Sequence, residues 1–258
     1  MQKDVTVEFE IDGYKYSSDM IEAFEFERNK HVLHEMIHLG IEVKDGDKTV
    51  SYSDVDFLNK ADAARLNVAT KVALGSDKLF EYYKEEVTKT DKMWKDVVTD
   101  YDESQAPQNC ITYMHVKGVT LDSLGEGLMT AMAGADSSLA ANPEHYGHIN
   151  ANDVPTGFEG MGMFAGPNLM RIVFDTEVKV PIEIPEGYMP FTIGYSQLGD
   201  GTNMHTVAAH YIKEVDDGID MILTVFFPQG IAKELVDGHK IHLASEFLGL
   251  VKIAAGEM

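Results

Sequence analysis

From Ile111 onward the chain falls into short apolar-polar runs separated by turns, and it closes on a single long helical pattern, Ile231 to Ala254. The runs are Ile111–Val116, Leu169–Phe174, Val178–Ile184, Phe191–Tyr195, His205–Val215 and Ile219–Phe227. Turn chemistry at Pro185-Glu186-Gly187, Gly199-Asp200-Gly201 and Asp216-Asp217-Gly218 divides them. Alternation of this kind builds an antiparallel sheet with one buried face. After the breakers Pro228 and Gly230, Ile231, Leu235, Val236, Leu243, Phe247, Leu250 and Val251 recur at helical spacing. A meander followed by an amphipathic helix predicts a curved sheet wrapped on that helix, with a cavity between them. A further helix is expected at Leu121–Ala133, just after the first strand.

The residues before this unit read differently. Val5, Val7, Phe9 and Ile11 form a strand running into the Asp12-Gly13 turn, and a second hairpin is expected around Asp45-Gly46. Helices are predicted over Met20–Leu39, Ser53–Leu74 and Ser76–Val98, with Gly40 and Gly75 as stops and Ser17, Ser18 or Asp19 as the first N-cap. Pro107 among polar residues at Asp102–Asn109 marks a linker. The expected division is a mainly helical region over 1–102 and an α+β unit over 110–258.

Charge and cysteine usage narrow the partners. With 43 Asp and Glu against 21 Lys and Arg, the formal charge of −22 repels nucleic acid and acidic membranes. Cys110 is the sole cysteine, no apolar run has membrane-spanning length, and Met1 to Asp4 lead straight into a strand pattern, so a cytoplasmic location is expected. A small-molecule substrate and a possible homo-oligomer remain as partners.

Several constellations can carry chemistry. His242 and Glu246 lie one helical turn apart on the terminal helix, the spacing by which a helix gives a metal two ligands. The spacing alone is common, and His31 with Glu35 and His210 with Glu214 repeat it. His34-Glu35-Met36-Ile37-His38 is an H-E-x-x-H on a predicted helix, the pattern of zinc peptidases, or else a polar face with Arg28 and Lys30. The loop Asn142-Pro143-Glu144-His145-Tyr146-Gly147-His148 offers two imidazoles, and Glu159 stands alone in a Gly-rich run as either a ligand or a turn residue. His205 and His210 are placed on opposite faces of one strand, and His210 is the candidate general acid/base. Met161, Met163, Met170, Phe174, Phe226 and Phe227 read most simply as core.

Met114-His115-Val116-Lys117-Gly118-Val119-Thr120, the Asn142–His148 loop, Val207-Ala208-Ala209-His210-Tyr211 with the Asp217-Gly218 turn, and His242 to Leu250 occur in an order similar to the 2,4-diacetylphloroglucinol hydrolase and phloretin hydrolase family. The resemblance covers roughly Ile111 to Ala255. It implies a helix-grip, Bet v 1-like fold and a zinc-dependent hydrolase that cleaves the C–C bond between an acyl group and a phenolic ring. It also implies Zn²⁺ ligands at His145, Glu159, His242 and Glu246, with His148 as a substitute for His145, and a catalytic histidine at His210. In that scheme His210 protonates the ring carbon, while Glu246 or Glu159 assists the attacking water, giving a phenol and a carboxylic acid. The chain departs from the family where tyrosines hold the ring hydroxyls: it has Ser137, Ser138 and Leu139 before the loop, and Phe226 and Phe227 before Pro228. The tryptophan pair usual in the family's first helix is also absent from this chain. An H-E-x-x-H zinc peptidase and a metal-free binder of an aromatic ligand are the alternatives.

Overall fold

Asp12 and Gly13, at φ 52° and 79°, reverse the chain between β1 (Thr6–Ile11) and β2 (Tyr14–Ser17). Both residues tolerate the left-handed conformation that a two-residue hairpin turn requires. The computed structural model describes residues 5–133, 135–152 and 154–256. Met1 to Asp4 therefore lie outside the described residues.

Ser17 caps α1 (Ser18–His38) by accepting the Met20 N–H, and Gly40 leaves the helix at φ 84°. A two-strand hairpin follows, β3 (Lys44–Asp45) with β4 (Lys48–Thr49). The single helix expected over Ser53–Leu74 is instead two, α2 (Tyr52–Val55) and α3 (Lys60–Leu74). Ser51 and Asp54 close a capping box on the first, and the Asn59 side chain accepts the Asp62 N–H to start the second. Local side-chain acceptors thus compete with a continuous helix and win. α4 (Ser76–Thr99) buries Leu79, Tyr83, Val87 and Trp94.

The second half contains β5 (Gln108–Lys117), α5 (Leu121–Ala133), α6 (Ala135–Ala141), β6 (His145–Ala151), β7 (Val154–Glu159), β8 (Asn168–Phe174), β9 (Met189–Leu198), β10 (Asn203–Val215), β11 (Gly218–Phe227) and α7 (Lys233–Ala255). The nine strands β1, β2 and β5 to β11 form one antiparallel sheet in the order β2-β1-β5-β11-β10-β9-β8-β7-β6. The fold is α+β, with a large antiparallel sheet and a C-terminal helix. Among the described residues no helix is long and apolar enough to cross a membrane.

α7 lies on β5 and against α5. Its Leu235, Leu243, Phe247 and Val251 share a core with Phe9, Met114, Met221 and Phe227 of the sheet. Burying each such side chain contributes about 2 kcal/mol. A close approach fixes one end of this helix: a Cβ on Gly249 would stand 2.6 Å from the Ala141 carbonyl oxygen. The loop after α6 is thereby held against the helix that faces it.

The expected division at Asp102–Asn109 marks a change from helix to strand, yet packing crosses it twice. β1 pairs with β5 over Thr6–Glu10, and Tyr146, Phe158 and Leu169 share a core with Val32, Leu33, Leu66 and Tyr83. Val178–Ile184 does not form the expected strand. Its alternating Val178, Val180, Ile182 and Ile184 do pack against Ile193, Tyr211 and Phe226, but Pro181 and Pro185 lack the N–H that a ladder needs. Of the residues read as core, Met163 and Phe174 are 41% and 70% exposed, whereas Met161, Met170, Phe226 and Phe227 are buried.

Candidate metal centre

α7 carries His242 and Glu246 one turn apart toward the sheet. His242 is buried, Glu246 keeps 32% of its side chain exposed, and the His242 Nε2 to Glu246 Oε2 distance is 3.8 Å. Facing them is the chain between α6 and β6. Asn142 shapes it, accepting the Glu144 N–H at 2.8 Å and donating through Nδ2 to the His242 carbonyl at 3.2 Å. The segment that the sequence presents as a loop becomes β6, whose first residue, His145, pairs in register with Glu159 at the end of β7. A bulge between His145 and Gly147 turns the strand. It sends His145 inward, while His148 is exposed at the rim of the cavity.

The tautomers follow from the partners. His145 donates Nδ1–H to the Ser138 carbonyl at 3.0 Å, and His242 donates Nδ1–H to Glu144 Oε2 at 2.7 Å. Each partner can only accept, so in the neutral form of each imidazole the lone pair is on Nε2. His145 Nε2 is buried without a hydrogen-bond partner and lies 3.5 Å from Glu159 Oε2. One ligand atom each from His145, His242 and Glu246 falls within 4.8 Å of the others, a group that can hold a metal ion. Donors on a tetrahedral ion bound through nitrogen and oxygen stand about 3.3 Å apart, so ion binding asks for small side-chain adjustments. Two imidazole Nε2 atoms and the Glu246 carboxylate fit a divalent cation by donor type; Glu159 stands beside His145 but is not within this group.

Burial holds the His145 ring at about 4, with Glu246 opposing the shift. It acts the same way on His242, but there the bonded Glu144 carboxylate outweighs it and raises the imidazole. Burial would likewise raise Glu144. Arg28, 3.1 Å away, and His242 overcome that and hold the carboxyl at about 2. Glu159 is raised by desolvation, although 28% of its side chain opens on the cavity. His239 stacks on His242 at 4.9 Å and 13°, and donates Nδ1–H to the Met161 carbonyl.

A cavity of about 310 Å³ adjoins these ligands. Its apolar walls are Ile172, Phe174, Phe191, Phe247 and Leu250, and its polar groups include Ser138, His148, Thr192 and His210. His210 lies edge-on to Phe247, with centroids 5.1 Å apart. The Thr224 N–H donates to its Nδ1 at 3.2 Å, which leaves the proton of the neutral ring on Nε2. Burial lowers this imidazole to about 4. His205 is elsewhere, stacked on Tyr101 at 3.9 Å beside a different cleft.

The H-E-x-x-H segment builds no comparable group among the described residues. His34 stacks on Tyr52 and bonds its carbonyl, His38 is exposed, and Glu35 accepts hydrogen bonds from Tyr83 and Tyr146 at 3.1 and 3.0 Å. Nor is Arg28 part of a solvated face: it is 4% exposed. The sequence reading missed Arg28, Glu144 and Lys71 as residues around the centre. Glu144 carried the one signal, a carboxylate beside a candidate ligand in a turn fixed by Asn and Pro.

Comparison of the chain with protein-family models and with curated proteins finds no match.

Proposed function

We propose that this protein is a zinc-dependent hydrolase that cleaves the C–C bond between an acyl group and a phenolic ring, of the 2,4-diacetylphloroglucinol and phloretin hydrolase type. The observation that carries the reading is the convergence of His145, His242 and Glu246 beside an aromatic-lined cavity whose wall includes His145, Glu246 and His210. The element order supports a helix-grip arrangement: β5, two helices, six strands and α7, with β5 beside β11 and β6 at the far edge. His145, His242 and Glu246 would hold the ion, with Glu159, 3.5 Å from His145 Nε2, as the fourth ligand of the proposed set. When bound, Zn²⁺ supplies Lewis acidity toward a carbonyl or a water molecule.

The protein's residues do the rest. Phe174, Phe191 and Phe247 hold the ring and exclude water, which strengthens the polar contacts inside. Ser138 and Thr192, rather than tyrosines, stand where hydroxyls on the substrate can bond. The reaction adds water across the bond, with hydrogen going to the ring carbon and hydroxyl to the acyl carbon. Glu246 takes a proton from the attacking water, its oxygen being open to the cavity. His210 is neutral, with Nδ1 accepting the Thr224 N–H and Nε2–H free to donate. It passes the Nε2 hydrogen to the ring carbon as the C–C bond breaks, and the proton that Glu246 took from water replaces it at Nε2.

The test is hydrolysis of 2,4-diacetylphloroglucinol by zinc-loaded protein, with the phenol and carboxylic acid products followed by chromatography. His242→Ala and Glu246→Ala are expected to lose at least about 100-fold in rate. Full activity in either variant overturns the scheme.

A further inference from the structure

Two N-terminal helices reach the metal centre through buried polar side chains. Arg28 of α1 and Glu144 are 4% and 3% exposed, and their charged atoms are 3.1 Å apart. The same guanidinium donates through its other terminal nitrogen to the Gly238 carbonyl of α7 at 2.7 Å. Glu144 then accepts the Nδ1–H of His242. From α3, Lys71 donates to the carbonyls of both Pro143 and His145, at 2.6 and 2.7 Å, and so pins the backbone on either side of Glu144. Asn67 adds a bond to the Pro143 carbonyl at 3.2 Å.

A buried ion pair is a poor source of stability, because desolvating each ion costs several kcal/mol and an apolar pair of the same volume does as well. What this pair does that an apolar pair cannot is fix an imidazole's tautomer and direction. A carboxylate on the Nδ1–H of a metal-binding histidine keeps the Nε2 lone pair facing the ion and makes it more basic. We infer that Arg28 is a positioning residue: acting through Glu144, it aims His242 at the metal, while Lys71 holds the turn that carries Glu144 and His145. The helical N-terminal region is thus a working part of the centre, and its helices supply the outer groups that the ligand-bearing unit lacks.

This inference rests on the metal-binding reading, and its test separates the two. Zn²⁺ affinity is measured by competition with a chromophoric chelator, and the Co²⁺-substituted protein gives a visible ligand-field spectrum. Metal-free melting temperatures are recorded alongside. Glu144→Gln and Arg28→Gln are expected to weaken Zn²⁺ binding by about 10- to 100-fold and to alter the Co²⁺ bands. Arg28→Lys and Glu144→Asp keep the charges, are less disruptive to folding, and should recover part of the affinity. A merely structural role would lower the metal-free melting temperature and leave affinity and spectrum alone. If the unaltered protein binds Zn²⁺ and the folded variants bind it within twofold with the same Co²⁺ bands, the positioning role is overturned and the metal reading stands. If the unaltered protein binds no Zn²⁺, the metal reading itself is overturned.

Discussion

His145 and Glu159 are cross-strand partners in the β6–β7 ladder, and His145 Nε2 lies 3.5 Å from Glu159 Oε2. The sheet itself sets this distance, whereas a helix sets the one between His242 and Glu246. In the proposed centre each pair of ligands is therefore set by regular structure, and the spacing between α7 and the β6–β7 edge brings the two pairs together. His145→Ala removes an Nε2 without a hydrogen-bond partner, together with the Nδ1–H that donates to the Ser138 carbonyl. It should weaken Zn²⁺ binding by at least about 100-fold and cost the metal-free fold about 1 kcal/mol for the lost bond. Chelator competition and circular dichroism read the two effects separately.

That spacing depends on Gly249. An added Cβ would meet the Ala141 carbonyl oxygen at 2.6 Å and Ala141 Cα at 3.0 Å, both backbone atoms that cannot turn aside. Gly249→Ala should push α7 from the end of α6 and cost about 1–3 kcal/mol, as overpacking in a tight core does. Urea unfolding measures the loss. Zn²⁺ affinity should fall as well, since Asn142, the next residue after Ala141, ties the ligand-bearing turn to the His242 carbonyl.

His210 gives stability a definite pH dependence. Burial holds its imidazole at about 4, below the 6.5 of an unburied ring. Between those values the unfolded chain takes up a proton that the folded chain refuses. The stability tied to the neutral ring is thus complete above pH 6.5 and is lost as the pH falls toward 4. The difference amounts to about 3 kcal/mol. Asn at this position can still accept the Thr224 N–H but does not titrate. Denaturant unfolding of His210→Asn should therefore change less between pH 7 and pH 4 than that of the unaltered protein, and identical slopes would remove His210 from the account.

What could be read in the sequence depended on whether local or distant residues decide the structure. Pro228 and Gly230 stop β11 and let α7 start, so the helix and its His242–Glu246 pair were visible in a short window. β6 and β7 were not, because Gly147, Pro155 and Gly157 interrupt the alternation and the ladder closes through a bulge. Val178–Ile184 has the converse character, alternating as a strand does but interrupted by Pro181, which has no N–H to give a ladder. Arg28 and Lys71 were the least legible. Each is an ordinary charged residue on a helix, and only the packing of α1 and α3 against the Pro143–His145 turn turns it inward.

The H-E-x-x-H segment gives the sharpest contrast between motif and structure. Glu35 accepts hydrogen bonds from Tyr83 and Tyr146, whose side chains are 0% and 3% exposed, so its carboxylate joins α1 to α4 and β6. Glu35→Ala would leave two buried hydroxyls without an acceptor, at about 1–3 kcal/mol each, and should lower the melting temperature markedly. His38→Ala touches only an exposed ring and should change neither stability nor metal content. Zinc analysis of the folded variants then decides between the two regions. Retention of zinc in His34→Ala and its loss in His242→Ala place the metal on α7. The reverse pattern would move the chemistry to α1 and make Glu35 a base in spite of its tyrosine partners.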